Sequence, residues 1–416
     1  MKKLLPLFAL ALISFTAQAQ TFSSGSTGAD GALDLSTGAC QRQIQLPESG
    51  ILNYTTINIP TNCSLSFKPN FRNTPVIMLA QGSVNIMGAI YLTGNGGQGP
   101  GPGGYPGGVP GQNGFGPRGG IASDVNGNDP QRNGRWAGTL SLVPIVGGSG
   151  GAGRVYDGQG GGGAIVIASS STIVLSASST ISADAVSGNG FPGEGSGGAI
   201  RLVANSITVS GNLVARGGGQ SANSGVIRLE APAGSLTYNG GANPLPILST
   251  TINPVIVPDG NTPSLRITSI GGFPISYTAG RPDSVDLILP STIADPINVS
   301  IQAHNVPVGT QVRLSISGSS GATFTPGTLS GTQASSTATI PVNGLNRASA
   351  SFLIASVEFN LPQSMAGYNP KGPDQIARVR INAPLGARPK IDFLRHNGTE
   401  VETAKVPQQL RIQFGQ

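Results

Sequence analysis

Charge is scarce in this chain. Of 416 residues, 10% are Asp, Glu, Lys or Arg, and the formal net charge is +6. The sequence pI of 9.5 therefore reflects few acids more than a basic surface, and so weak and dispersed an excess argues against nucleic acid as a partner. Cysteine is nearly absent. Cys40 and Cys63 are the only two, which excludes a disulfide-dense scaffold; in an oxidising compartment they are expected to pair and staple the N-terminal segment. Two distant histidines, His304 and His396, add no structural zinc set to those thiols. Long apolar runs are missing beyond the first twenty residues, so no transmembrane anchor is expected.

Catalytic signatures are missing too. There is no nucleophile elbow among the many serines. Gly160–Gly163 leads into a strand-like run, whereas a phosphate loop follows a strand and opens a helix. No long helical periodicity occurs after the first twenty residues, which leaves an all-β chain.

The beginning reads as a secretory signal: Lys2 and Lys3, the apolar core Leu4–Phe15, then Ala17-Gln18-Ala19 as the cleavage site. The expected signal peptide is 1–19, and losing Lys2 and Lys3 takes the net charge from +6 to +4. The expected location is secreted, at the cell surface, or periplasmic. Residues 21–37, rich in Gly, Ser, Thr and Asp, read as a mobile leader or irregular edge. From Cys40 to Phe67, alternation at Ile44/Leu46, Ile57/Ile59 and Leu65/Phe67 predicts half-buried strands, so 20–70 is assigned as leader and capping strands.

The organising feature lies at 71–246. Gly163-Ala-Ile-Val-Ile-Ala168 returns as Gly198-Ala-Ile-Arg-Leu-Val-Ala204 and again as Gly225-Val-Ile-Arg-Leu-Glu-Ala231. Each copy opens a triplet of short alternating strands: 76–80, 83–87 and 89–92, then 164–168, 172–175 and 180–183, then 199–203, 206–209 and 212–215. The repeat lengths differ in the turns and not in the strands, which predicts a parallel β-helix-like domain with Ile, Val and Leu inside and Ser, Thr, Asn and Arg outside. An insertion, 94–163, splits the first triplet from the second; 27 of its 70 residues are glycine. Strict Gly-x-y periodicity is absent, which argues against collagen. The arms at 188–198 and 217–225 emerge at the equivalent place in their own repeats, so a glycine-rich layer of stacked arms is expected on one side, with Trp136–Val146 anchoring the long excursion. Near 247 the composition turns to Thr, Ser, Val and Pro. Seven short strands between 263 and 361 predict an Ig-like β-sandwich over 247–365, followed by a strand-containing tail, 366–416, able to extend the sandwich.

The run Gly-Gly-Ala-Ile-x-Leu-Val-Ala-x-Ser-Ile-x-Val-x-Gly-x-Leu-x-Ala-x-Gly-Gly at 197–218 resembles secreted bacterial glycine-rich repeat proteins, in which an Ig-like region follows the repeats. The resemblance spans about residues 25–360. It implies an architecture and an extracellular setting, and no reaction. The Pro-containing arm at 100–120 and the basic tail depart from it.

Several residues are candidates for chemistry. Asp124, Asn126, Asn128 and Asp129 place oxygens at alternate positions around Gly127, as a calcium loop does, but Arg135 stands where the closing Glu belongs. The alternative is an Asx-rich turn. Asp157, Asp184 and Glu194 lie in turns and are candidates for an acid/base pair in glycoside cleavage, with Arg154, Arg201 or Arg216 beside them. Tyr105, Phe115, Trp136, Tyr156 and Phe191 sit in the arms, either stacking on sugars or a partner, or pinning the arms locally. Three functions follow as expectations: a non-enzymatic structural, adhesive or polysaccharide-binding protein, a carbohydrate-active enzyme, or a self-assembling fibre subunit. No cofactor beyond calcium is implied.

Overall fold

The computed structural model describes residues 21–70, 73–94, 99–123, 129–186, 193–219, 223–254, 256, 263–275, 287–318, 321–345, 351–369, 372–385, 389–402, 405–407, 410 and 414. The expected signal peptide, the Asp124–Asn128 part of the calcium loop and Phe191 lie outside the described residues. The architecture is all-β, with two parallel and two antiparallel sheets.

In the N-terminal half the chain returns to the same three ladders once per repeat. One ladder runs through Ile51–Tyr54, Val76–Ala80, the first halves of Ala164–Leu175 and Ala199–Val209, then Val226–Glu230 and Ile247–Ser249. A second takes Leu33–Asp34, Ile57–Ile59, Val84–Ile86, the second halves of the same two long strands, then Leu236–Tyr238. The third takes Gln41–Gln45, Ser64–Lys68, Ala89–Tyr91, Thr180–Ser182, Asn212–Val214 and Gly241–Asn243. Every pairing is parallel. The register puts like on like: Leu65, Ile90, Ile181 and Leu213 form one column of the third ladder, each fully buried. Because side chains alternate along a strand, a one-residue slip would turn each such column outward, so the apolar columns themselves fix the register. The two long strands bend where the register shifts between Ala204 and Ser206, and one strand thereby serves two ladders.

The Cys40–Gln45 segment is part of the same stack and not a separate cover. Its strand pairs with Ser64–Lys68, and the Cys40–Cys63 disulfide (S–S 2.00 Å) ties these two turns together. The leader is an irregular edge, with no strand before Leu33–Asp34, but a bonded one. It runs across the repeats as a strap: Phe22 exchanges two hydrogen bonds of 2.8 Å with the Asn205 side chain, Ser24 Oγ donates to Ala80 O, and Ser26 Oγ donates to Tyr54 O. Small hydroxyl and amide side chains reach the backbone at the bends, which explains why this segment is polar without being loose.

The outer face of the first ladder is covered rather than exposed. Ile77, Leu79, Val166, Ala168 and Val203 form a second apolar layer with Leu142, Ile145 and Ile256, with Trp136 and Ile252 against it. Arg201 corrects the expectation that arginines at outward positions face solvent. It is fully buried, and its guanidinium bonds both oxygens of buried Glu230 at 3.0 and 3.2 Å and Asn253 O at 2.8 Å. Arg228 Nε adds a third bond to Glu230 at 2.7 Å, and Asn253 N a fourth. Segment 250–254 is thereby held against the stack; a buried charge is tolerated when its hydrogen-bonding capacity is met in this way.

The C-terminal half packs two antiparallel sheets around one core. Ser264–Ile270, Ile297–His304 and Ser336–Val342 make one sheet, with Phe273–Pro274 and Ser330–Gly331 at its edges. Gly321–Thr328, Gln311–Gly318, Phe352–Asn360, Arg378–Pro384 and Lys390–Leu394 make the other. The described residues after 366 extend this unit: Arg378–Pro384 pairs with Phe352–Asn360, and Val401, Val406, Leu410 and Phe414 enter the same core. A boundary at 365 falls inside this unit. The half touches the start of the stack, where Glu48 takes Arg266 Nη2 at 2.7 Å and lies 3.1 Å from His304 Nε2.

Candidate functional site

The glycine-rich arms leave the stack after Leu92 and rejoin it at Gly163. Their described parts are ordered without being strands, held by hydrogen bonds between backbones of neighbouring arms. These bonds recur every third residue. Tyr105 N and Gly108 N donate to Gly148 O and Gly151 O, so those arms run parallel. Gly148 N and Gly151 N donate to Gly162 O and Gln159 O, so that pair runs antiparallel. Gln159 N and Gly162 N donate to Gly193 O and Ser196 O, and Gly193 N and Ser196 N return to Ala152 O and Ser149 O. Apart from isolated turns such as Gly104 N to Gly101 O, the bonds run between arms with a three-residue period, as in packed polyproline-II-type helices, which turn each successive residue toward a different neighbour.

Glycine is required here by space. A Cβ on Gly148, Gly150, Gly151, Gly158, Gly161 or Gly195 would meet a backbone atom of the adjacent arm closer than 3.0 Å. The same holds at Gly163, Gly198 and Gly225, where the arms feed the first ladder and each strand opens. The glycines that mark the repeats in the sequence are therefore the points where stack and bundle touch.

The outer end of the bundle carries apolar groups in solvent. Gly111 N bonds Gly153 O, Gly153 N bonds Gln112 O, and Ala122 N bonds the Asn113 side chain, which brings the turns at 111–113, 121–122 and 153–156 together. Around them Tyr156 is 71% exposed, Val155 67% and Ile121 56%, while Phe115, on the next arm, is 51% exposed. The four aromatic candidates among the described residues thus divide. Tyr105 is buried with its ring against Gly116, and Trp136 is held over Gly138 with its indole N–H on Val146 O at 3.3 Å; both are packing pins. Phe115 and Tyr156 are available to a partner. Ile121 and Val155, missed as candidates, join them; they carry no sequence signal beyond being apolar beside turns.

Of the carboxylate candidates, Asp184 is held by an arginine. Asp184 accepts from the backbone N–H of Arg216 at 2.6 Å and from its guanidinium at 2.7 and 3.1 Å, and this pairing raises the Arg216 pKa. Glu194 packs over Gly219, and its backbone N–H bonds Asn133 Oδ1. Asp184 and Glu194 therefore flank one stretch, 216–219, while Asp157 stands in the exposed turn at 155–157. Arg201 is withdrawn from solvent altogether. Asp129 caps the short 3-10 turn Pro130–Arg132: one oxygen accepts from Gln131 N at 2.9 Å, and the other accepts from Ser123 Oγ. These bonds hold its pKa below the ordinary carboxylate value. Both oxygens accept hydrogen bonds as in an Asx turn. Among the described residues no three His, Cys, Asp or Glu side chains gather as a metal site, and no helix is long and apolar enough to cross a membrane.

No family model, no curated protein and no solved structure matches this chain.

Proposed function

We propose that this chain is a secreted, non-enzymatic adhesive protein of a bacterial surface. In this reading the three-ladder stack is a parallel β-helix, the C-terminal half is an Ig-like β-sandwich acting as spacer or attachment module, and the resemblance to secreted glycine-rich repeat proteins extends to the setting. The helix is the rigid base, and the bundle holds its outer turns away from that base to meet a polysaccharide or cell-surface partner. One observation carries the reading: the arms are locked by backbone hydrogen bonds, yet their outer turns hold Tyr156, Val155 and Ile121 in solvent. Aromatic and aliphatic groups on a rigid support favour binding, because little conformational entropy is lost when they dock.

The test is binding of the purified secreted chain to a glycan array and to whole bacterial cells. The expected result is saturable binding that weakens at least about tenfold in a Tyr156→Ala, Val155→Ser double variant, with unchanged thermal unfolding. Absence of binding to any glycan or cell removes the reading.

A further inference from the structure

We propose that the last turn of the repeat stack is a docking edge for a second copy of this chain, joined end to end across a twofold axis. The inference rests on the parallel ladders and is independent of the adhesive reading. All three ladders finish at this end, on Leu236–Tyr238, Gly241–Asn243 and Ile247–Ser249. Below it, the interior columns are sealed: Ile207, Val209 and Leu213 are fully buried. On the last turn their register partners Leu236, Tyr238 and Ala242 are only partly buried. Leu245 is 79% exposed and Leu248 51%. The described chain does not fold back over this end: after Ser249 it passes to the outer face of the first ladder, where Asn253 meets Arg201 and Glu230. Glu48, where Arg266 and His304 of the C-terminal half meet the stack, lies at the opposite end.

An open edge of three parallel ladders is a template for further pairing, and proteins blunt such edges with charge. This edge has three-residue strands with Pro244 and Pro246 between the last two, but it carries no charge: from Ala231 to Ile256 there is no Asp, Glu, Lys, Arg or His. The opposite end does carry charge. Arg42 occupies the third-ladder column that Leu65, Ile90, Ile181 and Leu213 fill above it. Asp34 stands in the first strand of the second ladder, its carboxylate on Ser36 N and the Asn58 side chain. Head-to-tail stacking would drive Arg42 onto the Ala242 column and bury an unpaired charge. Stacking the two neutral ends on each other buries none, and it closes after two copies. The charge pattern therefore selects a second copy, neutral end to neutral end, in preference to an open fibre.

The experiment is sedimentation velocity and light scattering of the full secreted chain over a concentration series. The expected result is a monomer–dimer equilibrium with no species above the dimer. A Leu245→Lys, Leu248→Lys variant, at two exposed positions, should keep its circular dichroism and thermal transition while the dimer weakens at least about tenfold. An Arg42→Leu variant should allow species larger than the dimer. A wild-type chain monomeric at every concentration overturns the proposal, as does a dimer indifferent to the two lysines. Open-ended growth of the wild type overturns the twofold arrangement.

Discussion

The repeat stack and the arm bundle meet the cost of ordering a chain by opposite means. In the stack, side chains do the work: each turn buries one apolar residue on the next, as Ile90, Ile181 and Leu213 show, and hydrophobic transfer opposes the entropy lost. In the bundle almost no side chain is involved. Order comes from arm-to-arm backbone bonds, each contributing about 1 kcal/mol net, against the largest backbone entropy of any residue type. The consequence is asymmetric. The stack takes one apolar patch from the insertion, Leu142 and Ile145, and otherwise rests on its own columns. The bundle needs a base that brings its arms to the right spacing, and the paired glycines at 163, 198 and 225 supply it. Glycine is therefore a packing residue in this protein, selected for the absence of a Cβ.

The comparison breaks first at Gly161. A side chain there meets the Gly148 backbone, so Gly161→Val should remove amide protection across 147–163, a local loss above about 4 kcal/mol, while the stack and the C-terminal half keep their circular dichroism. If protection in the arms survives, close backbone packing is not what orders them. Second is Glu230→Ala, which leaves Arg201 buried between the stack and segment 250–254 without its acid. A cost of about 3–5 kcal/mol is expected in denaturant unfolding. Third is Ile181→Ala, in the middle of the third-ladder column, expected to cost about 2–4 kcal/mol with the bundle loosening in parallel, because its base has moved.

A smaller effect appears with pH. Burial, with a contribution from Asp30, pushes the Tyr54 hydroxyl up to about 12. Its folded pKa lies above its unfolded value of about 10, so its contribution is complete below pH 10 and is lost as the pH rises toward 12. Thermal unfolding followed across this window should show a loss of about 2 kcal/mol that Tyr54→Phe abolishes. The smallest effect is at Gly111, where a Cβ meets nothing but φ is +78°. Gly111→Ala should cost about 1 kcal/mol, separating backbone strain from the steric exclusion seen at Gly161.

Much of the stack is legible in the sequence because its information is local and repeated. The glycine steps that align residues 163, 198 and 225 are the register observed, with Ala164 beside Ala199 and Ala199 beside Val226. What escaped depends on contacts between distant parts. Arg201 alternates like an outward residue, and distant segments, Leu142 and Ile145 before it and 250–254 fifty residues after it, make that face interior. The leader lacks apolar periodicity because it bonds through Ser and Asn side chains. The strand Ile51–Tyr54 is short and lies next to a turn, and Gly321–Thr328 has a composition that reads as loop. Of the candidate site, the aromatics were visible. Which of them face solvent was not, because Tyr105 and Phe115 stand in similar local sequence and differ only in what a neighbouring arm places over them.

Hydrogen exchange of the full chain, resolved over 99–163, tests the central claim most directly. Amides of Gly148, Gly151, Gly161 and Gly162, each bonded to another arm, should exchange far more slowly than an unstructured chain and lose protection together. Exchange at the unstructured rate in these residues, with the stack protected, would contradict it.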